Sequence, residues 1–553
     1  MTRMTKAVAL LTGLLLAAAG SAAARPDAAA KKPTTNIQLV TVSDWHGQLT
    51  PTGGAGGAAY LKTYFDAAKA ENPNTLFFMA GDSIGATPPI SSFFEDVPAI
   101  RAMNMMGITA DTFGNHNFDR GVDHLQEMVD LAEFDFVASN LRNLDENLSG
   151  VERVALYDVG GVTVGVVGIV NEEAPTLVSP GALGTLEITD SVKAANAGAI
   201  AARKAGADVV VVLTHKGVRG LNADGSAFGE LIDLAENVAA GQIDVIVGDH
   251  TDFQYSGIHQ DRVLVVENKS KGLTYAKIQL AVDPQAGRVV SRSASFHVPT
   301  TAGVTPDPEI QAYINELNAQ LAPILGTVIG SSSRVVLRSD SCGRADGRLC
   351  ESLVGNVVTD ALRTTYGTDF AITNAGGLRA ALTCPAAGSG GFCPTGATPP
   401  PYPITRGSVL GVLPFGNVSA TAMVSGAEVA AYLEHGVSSM PGANGRFPQV
   451  SGLCFTYDVS APVGSRVTSI VRQAADGTCT TEMVLPGNTY TLATNDFMAA
   501  GGDGYPAIIS KATTRNIMDA DVATYVASNS PLSPAIQGRI VCSGAACPAV
   551  TAP

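Results

Sequence analysis

The 553-residue chain is long enough for two or three domains with their own cores. Its 46% hydrophobic and 15% charged residues are a globular rather than a disordered balance. A formal charge of −15 excludes general affinity for nucleic acid or an anionic membrane, which need a basic stripe, but not a small phosphate in a locally positive pocket.

Residues 1–24 have the form of a secretory signal. Arg3 and Lys6 precede an apolar run from Ala7 to Ala19, and Ala22-Ala23-Ala24 offers a small-residue cleavage site. A membrane anchor needs about 20 apolar residues, and no later stretch provides them. The expectation is an exported protein, extracellular or periplasmic, that spans no membrane. Residues 25–34 are a polar leader without periodicity.

From Ile37 to about His297, runs rich in Val and Ile alternate with helix-like stretches, the signature of a layered α/β domain. Gly57 to Lys69 carries Ala58, Leu61, Phe65 and Ala68 near a helical period, and Ser191 to Lys204 is an Ala-rich helix candidate. Five apolar runs end in metal-liking residues. Ile37–Val42 leads into Ser43-Asp44-Trp45-His46-Gly47, and Leu76–Ala80 into Gly81-Asp82-Ser83. Thr112-Phe113-Gly114 leads into Asn115-His116-Asn117-Phe118-Asp119. Val209–Leu213 leads into Thr214-His215, and Ile243–Val247 into Gly248-Asp249-His250-Thr251-Asp252. In an α/β sheet the carboxyl ends of the strands share an edge where ligands bind, so these turns can meet in one pocket.

Pro308 to Leu317 reads as a joining helix, with Pro at its start and apolar Ile310, Tyr313, Ile314 and Leu317. A second globular domain follows, with a strand at Phe370–Thr373, a proline-rich loop at Pro394–Pro403 and a helix at Glu428–Glu434. All eight cysteines lie there: Cys342, Cys350, Cys384, Cys393, Cys454, Cys479, Cys542 and Cys547. An even count in an exported chain implies disulfides, and on the order of a hundred pairings are possible. Pairing of neighbours is expected, since each successive pair brackets a loop-like stretch. The lack of CxxC pairs argues against a zinc site.

Each turn motif alone suits an ordinary tight turn, since Asn and Asp tolerate left-handed geometry. The set is stronger: of eight histidines, His46, His116, His215 and His250 all fall in these turns. Two divalent ions need a bridging carboxylate with imidazole and oxygen donors on either side. Asp82 is the natural bridge. Asp44, His46 and either Asp252 or His250 suit one ion, and Asn115 and His215 the other. Such a pair activates water and clamps the attacking and leaving oxygens of a phosphoryl centre. His116, three residues from Asp119, offers a carboxylate-oriented imidazole to protonate the leaving oxygen or stabilise the transition state.

These segments resemble the calcineurin-like metallophosphoesterase motifs, in the arrangement of secreted 5'-nucleotidases and UDP-sugar hydrolases. The resemblance lies in Asp44-Trp45-His46-Gly47, Gly81-Asp82, Gly114 to Asp119, Thr214-His215 and Gly248 to Asp252. It implies a four-layer β-sandwich flanked by helices over 35–300, a linker helix over 301–325 and an α/β nucleotide-binding domain over 326–545. Three positions depart from the family. Asn117 stands for a usual Glu, Ser43 for a common Asn, and Asp252 for a neutral last ligand. If Asp252 ligates, three carboxylates and a hydroxide balance two divalent cations, and this harder site favours Mn.

Past the linker, Asn374-Ala375-Gly376-Gly377-Leu378-Arg379, Leu413-Pro414-Phe415-Gly416 and Asn495-Asp496-Phe497 to Gly501-Gly502-Asp503-Gly504 also resemble that family. The resemblance implies a nucleotide pocket in which Phe415 and Phe497 sandwich the base. Stacking on aromatics suits any base. Asp503 accepts from ribose hydroxyls, Asn374 lines the pocket, and Arg348 and Arg379 grip phosphate through forked donors. The implied activity is an exported phosphohydrolase using two divalent ions (Mn, Zn or Co) on nucleoside 5'-monophosphates. Nucleotide sugars and 2',3'-cyclic nucleotides are alternatives for the same pocket, and a secreted nucleotide-binding protein without catalysis is an alternative of another class.

Overall fold

The structure is a computed structural model that describes residues 34–178, 181–385, 392–394 and 398–550. The signal-like segment, nearly all of the polar leader and part of the proline-rich loop lie outside these residues.

Two sheets pack face to face in the N-terminal half. The first has seven strands in the order Arg288–His297, Tyr275–Asp283, Thr35–Val42, Thr75–Met79, Ala110–Asp111, Asp135–Val137 and Val151–Glu152. From Thr35–Val42 onward its neighbours run parallel. The second has six, in the order Tyr255–His259, Val263–Glu267, Val245–Gly248, Val209–Thr214, Val162–Ile169 and Val154–Val159, parallel at its centre.

Strand Val209–Thr214 shows why its sequence reads as an unbroken apolar run. Val209, Val211 and Leu213 enter the core between the sheets, where they meet Ile37, Leu39, Phe78 and Val247. Val210 and Val212 face the other way, onto helices Ser191–Lys204 and Glu230–Asn237. A strand covered on both faces needs no polar alternation. Helices Ala58–Glu71, Val97–Met106, Gly121–Leu131 and Pro308–Leu325 cover the outer face of the first sheet. The result is four layers, as expected. The five ligand-bearing segments do not share one sheet, however: three end strands of the first sheet and two end strands of the second, and the pocket lies where both sheets present their carboxyl ends.

Local signals place the helices. Asp190 caps Ser191–Lys204 by accepting from the Lys193 N–H, and Arg203 and Lys204 sit at its negative end. Asp307 caps Pro308–Leu325 by accepting from Glu309 and Ile310, with Pro308 in the first turn. That helix buries Ile310, Ile314, Leu317, Leu321 and Leu325, one helical face, against the first layer.

The C-terminal domain holds a five-stranded sheet, ordered Pro448–Ser451, Phe370–Asn374, Thr489–Asn495, Val418–Ser425 and Ala512–Ile517. Helices Leu353–Tyr366 and Met518–Ser528 contribute to one of its cores. Helix Gly426–Gly436 and strands of a four-stranded sheet contribute to the other. The four disulfides join Cys342–Cys350, Cys384–Cys393, Cys454–Cys479 and Cys542–Cys547, the neighbour pairing expected. Among the described residues no helix is long and apolar enough to cross a membrane.

Candidate functional site

Strand ends in both sheets turn sharply to present their polar residues. Asp44, His46, Asp82, His250 and Asp252 all adopt positive φ, between 40° and 87°. Non-glycine residues hold such conformations only where surrounding contacts impose them, and these cluster at functional sites. The contacts are visible. The His46 N–H donates to the Asp82 carbonyl (2.9 Å), and the His116 N–H to Asp82 Oδ1 (2.8 Å). Asn117 Oδ1 accepts from both Asp82 N (3.0 Å) and Gly114 N (2.8 Å), so the residue that replaces the family's Glu ties two of the turns together. Ser43, the second departure, donates to the Gly248 carbonyl (2.9 Å) and joins the first turn to the fifth. Glycine is required at 114, where a Cβ would lie 2.2 Å from Asp82 Oδ1.

At these strand ends donor atoms of the described residues converge in three groups, each within a 4.8 Å span: Asp44, His46 and Asp82; Asp82, His215 and His250; and Asp44, His215 and Asp249. Asp82 is common to the first two, as a bridging ligand must be. His215 Nε2 lies 3.0 Å from Asp82 Oδ2, and His250 Nδ1 lies 3.1 Å from His215 Nε2. Asn115 Oδ1 is buried without a hydrogen-bond partner. Buried polar atoms rarely go unsatisfied, so an orphaned amide oxygen beside imidazoles and carboxylates fits a divalent cation. His250 thus groups with His215 rather than with Asp44 and His46. Asp252 is exposed and belongs to none of the groups.

Asp249, to which the motif reading gives no role, is fully buried behind the centre. Its Oδ2 accepts from Asp44 N (2.7 Å) and its Oδ1 from His250 N (2.9 Å), and it stands 3.7 Å from His215 Nδ1. Glu173, which no sequence motif marks, places its Oε1 2.9 Å from His250 Nε2, and only the fold brings these two together.

Electrostatics follow this crowding. Burial, reinforced by Asp249, raises the Asp44 carboxyl well above the ordinary range, and burial raises Asp249 likewise. At Asp82 burial is outweighed by His215 and His116, and its carboxyl falls well below that range. His215 is the counterpart: burial opposes its charge, but Asp82 raises it to about 9. Burial lowers His46. The His250 hydrogen bond brings Glu173 to about 2.

The C-terminal domain closes over this centre. His116 Nδ1 is 2.9 Å from Asp119 Oδ2, and its ring stacks on Phe415, with centroids 5.6 Å apart. The Arg379 guanidinium lies 5.7 Å from the Phe415 centroid. Asn374 Nδ2 donates to Asp503 Oδ2 (2.8 Å), and Asn495 Nδ2 to Asn374 Oδ1 (3.2 Å). The Phe415 and Phe497 loops are tied by Asn417 Nδ2 donating to Asp496 Oδ1 (2.8 Å). Phe497 packs on Gly502, where a Cβ would come within 2.4 Å of its ring. Both rings are half-buried, and among the described residues they make no ring contact with each other. Arg348 is half-buried and its charge favours ionised Asp503.

Imidazoles and carboxylates gathered at the strand ends of a four-layer sandwich form a donor set suited to divalent metal ions. Residues 37–252 match the calcineurin-like phosphoesterase family, and residues 328–509 match the 5'-nucleotidase C-terminal domain. The two matches follow one another along the chain, a phosphoesterase domain and then a 5'-nucleotidase C-terminal domain. Among its relatives is "Endonuclease YhcR" of Bacillus subtilis, 27% identical over 534 residues. That match covers 91% of this chain, and the chain spans 41% of the endonuclease's length. A snake venom 5'-nucleotidase of Gloydius brevicauda is 26% identical over 523 residues, covering 88% of this chain and 84% of the venom protein. The crystal structure of a 5'-nucleotidase precursor from Thermus thermophilus superimposes with a TM-score of 0.76 at 25% identity, covering 92% of this chain and 99% of that one.

Proposed function

We propose that the protein is an exported 5'-nucleotidase, releasing phosphate from nucleoside 5'-monophosphates with two divalent ions, Mn, Zn or Co. The observation that carries this reading is the stack of Phe415 on His116 under Arg379: a base-stacking ring and a phosphate-gripping arginine meet the donor cluster directly.

Asp44, His46 and Asp82 would hold one ion, and Asp82, Asn115, His215 and His250 the other. Ions bound there lower the pKa of water and neutralise charge on the phosphoryl oxygens. The protein's own groups do the rest. Asp119 holds His116 at Nδ1, leaving Nε2 to donate to the leaving 5'-oxygen. Arg348 and Arg379 offer forked donors to the phosphoryl oxygens. Asp503, held by Asn374, accepts from the ribose hydroxyls, and Phe415 and Phe497 stack on the base. Export is supported by the signal-like residues 1–24 and by the pairing of all eight cysteines in disulfides.

The test is phosphate release by protein stripped of metal and reloaded with Mn, Co or Zn. AMP, UDP-glucose and 2',3'-cyclic AMP are compared, with Asp82→Ala as the blank. Metal-dependent release from AMP, absent in the blank, is expected. Release from UDP-glucose or the cyclic nucleotide alone would replace the substrate assignment, and release from none would overturn the hydrolase reading.

A further inference from the structure

The stretch from Ser83 to Asp96 wraps the turn that carries Asp44 and His46. A Cβ on Gly47 would lie 2.9 Å from Thr87 Cγ2 and 3.1 Å from Ser91 Oγ, so the stretch packs directly on the residue after His46. Within it the Gly85 carbonyl lies 3.0 Å from His46 Nδ1. A carbonyl only accepts, so Nδ1 carries the proton and the lone pair is left on Nε2, the nitrogen 3.7 Å from Asp44 Oδ1. Gly85 has no room for another residue: it stands at φ 76°, and a Cβ there would lie 2.0 Å from the His116 carbonyl oxygen.

Asp96 fixes that carbonyl. It stands at the amino end of helix Val97–Met106, where an aspartate ordinarily caps the helix, yet its side chain makes no capping bond. Its carboxylate turns back into the loop instead. Oδ2 accepts from Gly85 N (3.3 Å), and Oδ1 accepts from the Thr87 hydroxyl and from Ser91 Oγ (3.2 Å). Asp96 thus holds the chain on both sides of the Gly85–Ala86 peptide, the one whose carbonyl meets His46. Asp96 is 3% exposed, and Arg120 Nε stands 4.0 Å from it. Among the described residues its side-chain hydrogen bonds all run to this loop, and a carboxylate is buried only where such bonds are made. Ala86, Glu95 and Asp96 all hold positive φ (49°, 56° and 65°), conformations that persist only where contacts impose them.

We propose that Asp96 is a positioning residue for one metal ion: through the Gly85 carbonyl it fixes the tautomer and ring orientation of His46. It thereby sets the affinity of the group formed by Asp44, His46 and Asp82. This rests on the reading of His46 as a metal ligand, and it adds a residue that no motif marks. Groups that orient a ligating imidazole contribute to metal affinity. His215 bonds to the Ala80 carbonyl, and His250 to His215 and Glu173, so the other ion is held by contacts outside this loop. The loop has a second neighbour: Pro89 packs on Gly411 of the C-terminal domain, where a Cβ would lie 4.0 Å from it.

The experiment titrates metal-stripped protein with cobalt(II), followed by visible absorption and calorimetry. Wild type, His46→Ala, Asp96→Ala and Asp96→Asn are compared. His46→Ala should weaken one of two ions. Asp96→Ala should weaken the same ion by about tenfold and leave the other unchanged. Asp96→Asn should keep most of the affinity, because its amide can offer an oxygen to Gly85 N and N–H groups to the two hydroxyls. Equal loss in Asp96→Asn and Asp96→Ala would assign the effect to charge and overturn the proposal. Unchanged ion affinity in Asp96→Ala with a raised KM for AMP would do so too, since the loop would then serve only the contact between Pro89 and Gly411. Should Asp96→Ala not fold, Thr87→Val carries the test, because it keeps the carboxylate and removes its hold on one side of the peptide. It should weaken the same ion by a smaller factor, and no change would overturn the proposal. If His46→Ala keeps both ions, the ligand reading fails and the proposal falls with it. If His46→Ala loses an ion that Asp96→Ala binds normally, the proposal alone fails.

Discussion

Phe415 and His116 come from different domains, yet their rings lie 5.6 Å apart and within 16° of parallel. His116 also meets His46 edge-on at 5.3 Å, so the Phe415 ring rests on an imidazole that itself touches the donor cluster. A residue assigned to base recognition therefore also packs the residue assigned to proton donation.

That double role predicts a particular kinetic pattern. Stacking on a base is worth on the order of 1–3 kcal/mol, so Phe497→Ala should raise KM for AMP by roughly fivefold to a hundredfold with little change in kcat. Phe415→Ala should raise KM similarly and also lower kcat, including kcat for a small aryl phosphate that has no base to stack. Steady-state kinetics on AMP and p-nitrophenyl phosphate separate the two. If Phe415→Ala leaves aryl phosphate turnover at the wild-type level, the His116 contact has no catalytic consequence.

Asp249 makes a second prediction. Both of its oxygens accept backbone N–H bonds, from Asp44 and from His250, which belong to turns about two hundred residues apart in sequence. Asparagine offers only one acceptor oxygen, so Asp249→Asn sets an amide N–H₂ against one of those donors. Groups that orient metal ligands typically change metal affinity by about 10–100-fold when removed, and a loss of that order is expected. Glu173→Gln keeps an oxygen for His250 Nε2 while losing the charge, and its effect should be smaller. Metal titration of stripped protein measures both, with circular dichroism confirming the fold. Unchanged affinity in Asp249→Asn would reduce Asp249 to a turn residue.

The contrast between Asp82 and Glu173 shows what the sequence could reveal. Asp44, Asp82, His215 and His250 each follow directly on an apolar run, and a strand buried on both faces is legible as such a run. Their convergence was therefore readable, although their division between two sheets was not, because parallel strands look alike in either. The third segment was less plain: its strand is only Ala110–Asp111, and Asn115–Phe118 is a 3₁₀ turn. Glu173 follows strand Val162–Ile169 through a loop with no motif, and it meets His250 only because the two chain segments pack together. Helix Glu428–Glu434 was readable and extends to Gly426–Gly436, where Ser425 and Glu428 form a capping box.

The Cys342–Cys350 loop links stability to binding. Closing a loop of this size constrains the unfolded chain by about 2.5 kcal/mol in the chain-entropy account. The same loop ends next to Arg348, whose Nε lies buried at the pocket. Cys342→Ser with Cys350→Ser should lower Tm by several degrees and raise KM for AMP, while kcat at saturation is kept. Calorimetry and steady-state kinetics on the same preparation check both. A lowered Tm with unchanged KM would mean that Asp340 alone holds the loop in shape.

Asp503 gives the pH dependence. Burial raises its carboxyl above the ordinary value, with the Asn374 hydrogen bond and then the charge of Arg348 pulling the other way. For a raised carboxyl the contribution to stability is fully present below its unfolded pKa of about 3.9. It is lost as pH rises through the higher folded value, so acid does not destabilise the fold through this group. Nucleotide binding has the opposite slope. The ionised form accepts charge-assisted hydrogen bonds from the ribose hydroxyls through both oxygens, which the protonated form cannot do, so KM for AMP should rise as pH falls through the folded pKa of Asp503. An aryl phosphate has no ribose, and its KM should not follow that limb. In Asp503→Asn the side chain keeps an acceptor oxygen but no longer titrates, so KM for AMP should be higher at neutral pH and flat where the wild type bends. KM measured from pH 4 to 8 for both substrates distinguishes the cases. An acid limb for AMP that persists unchanged in Asp503→Asn would assign it to the donor cluster instead, and Asp503 would then be a turn residue held at φ 56° by Asn374 rather than a reader of the sugar.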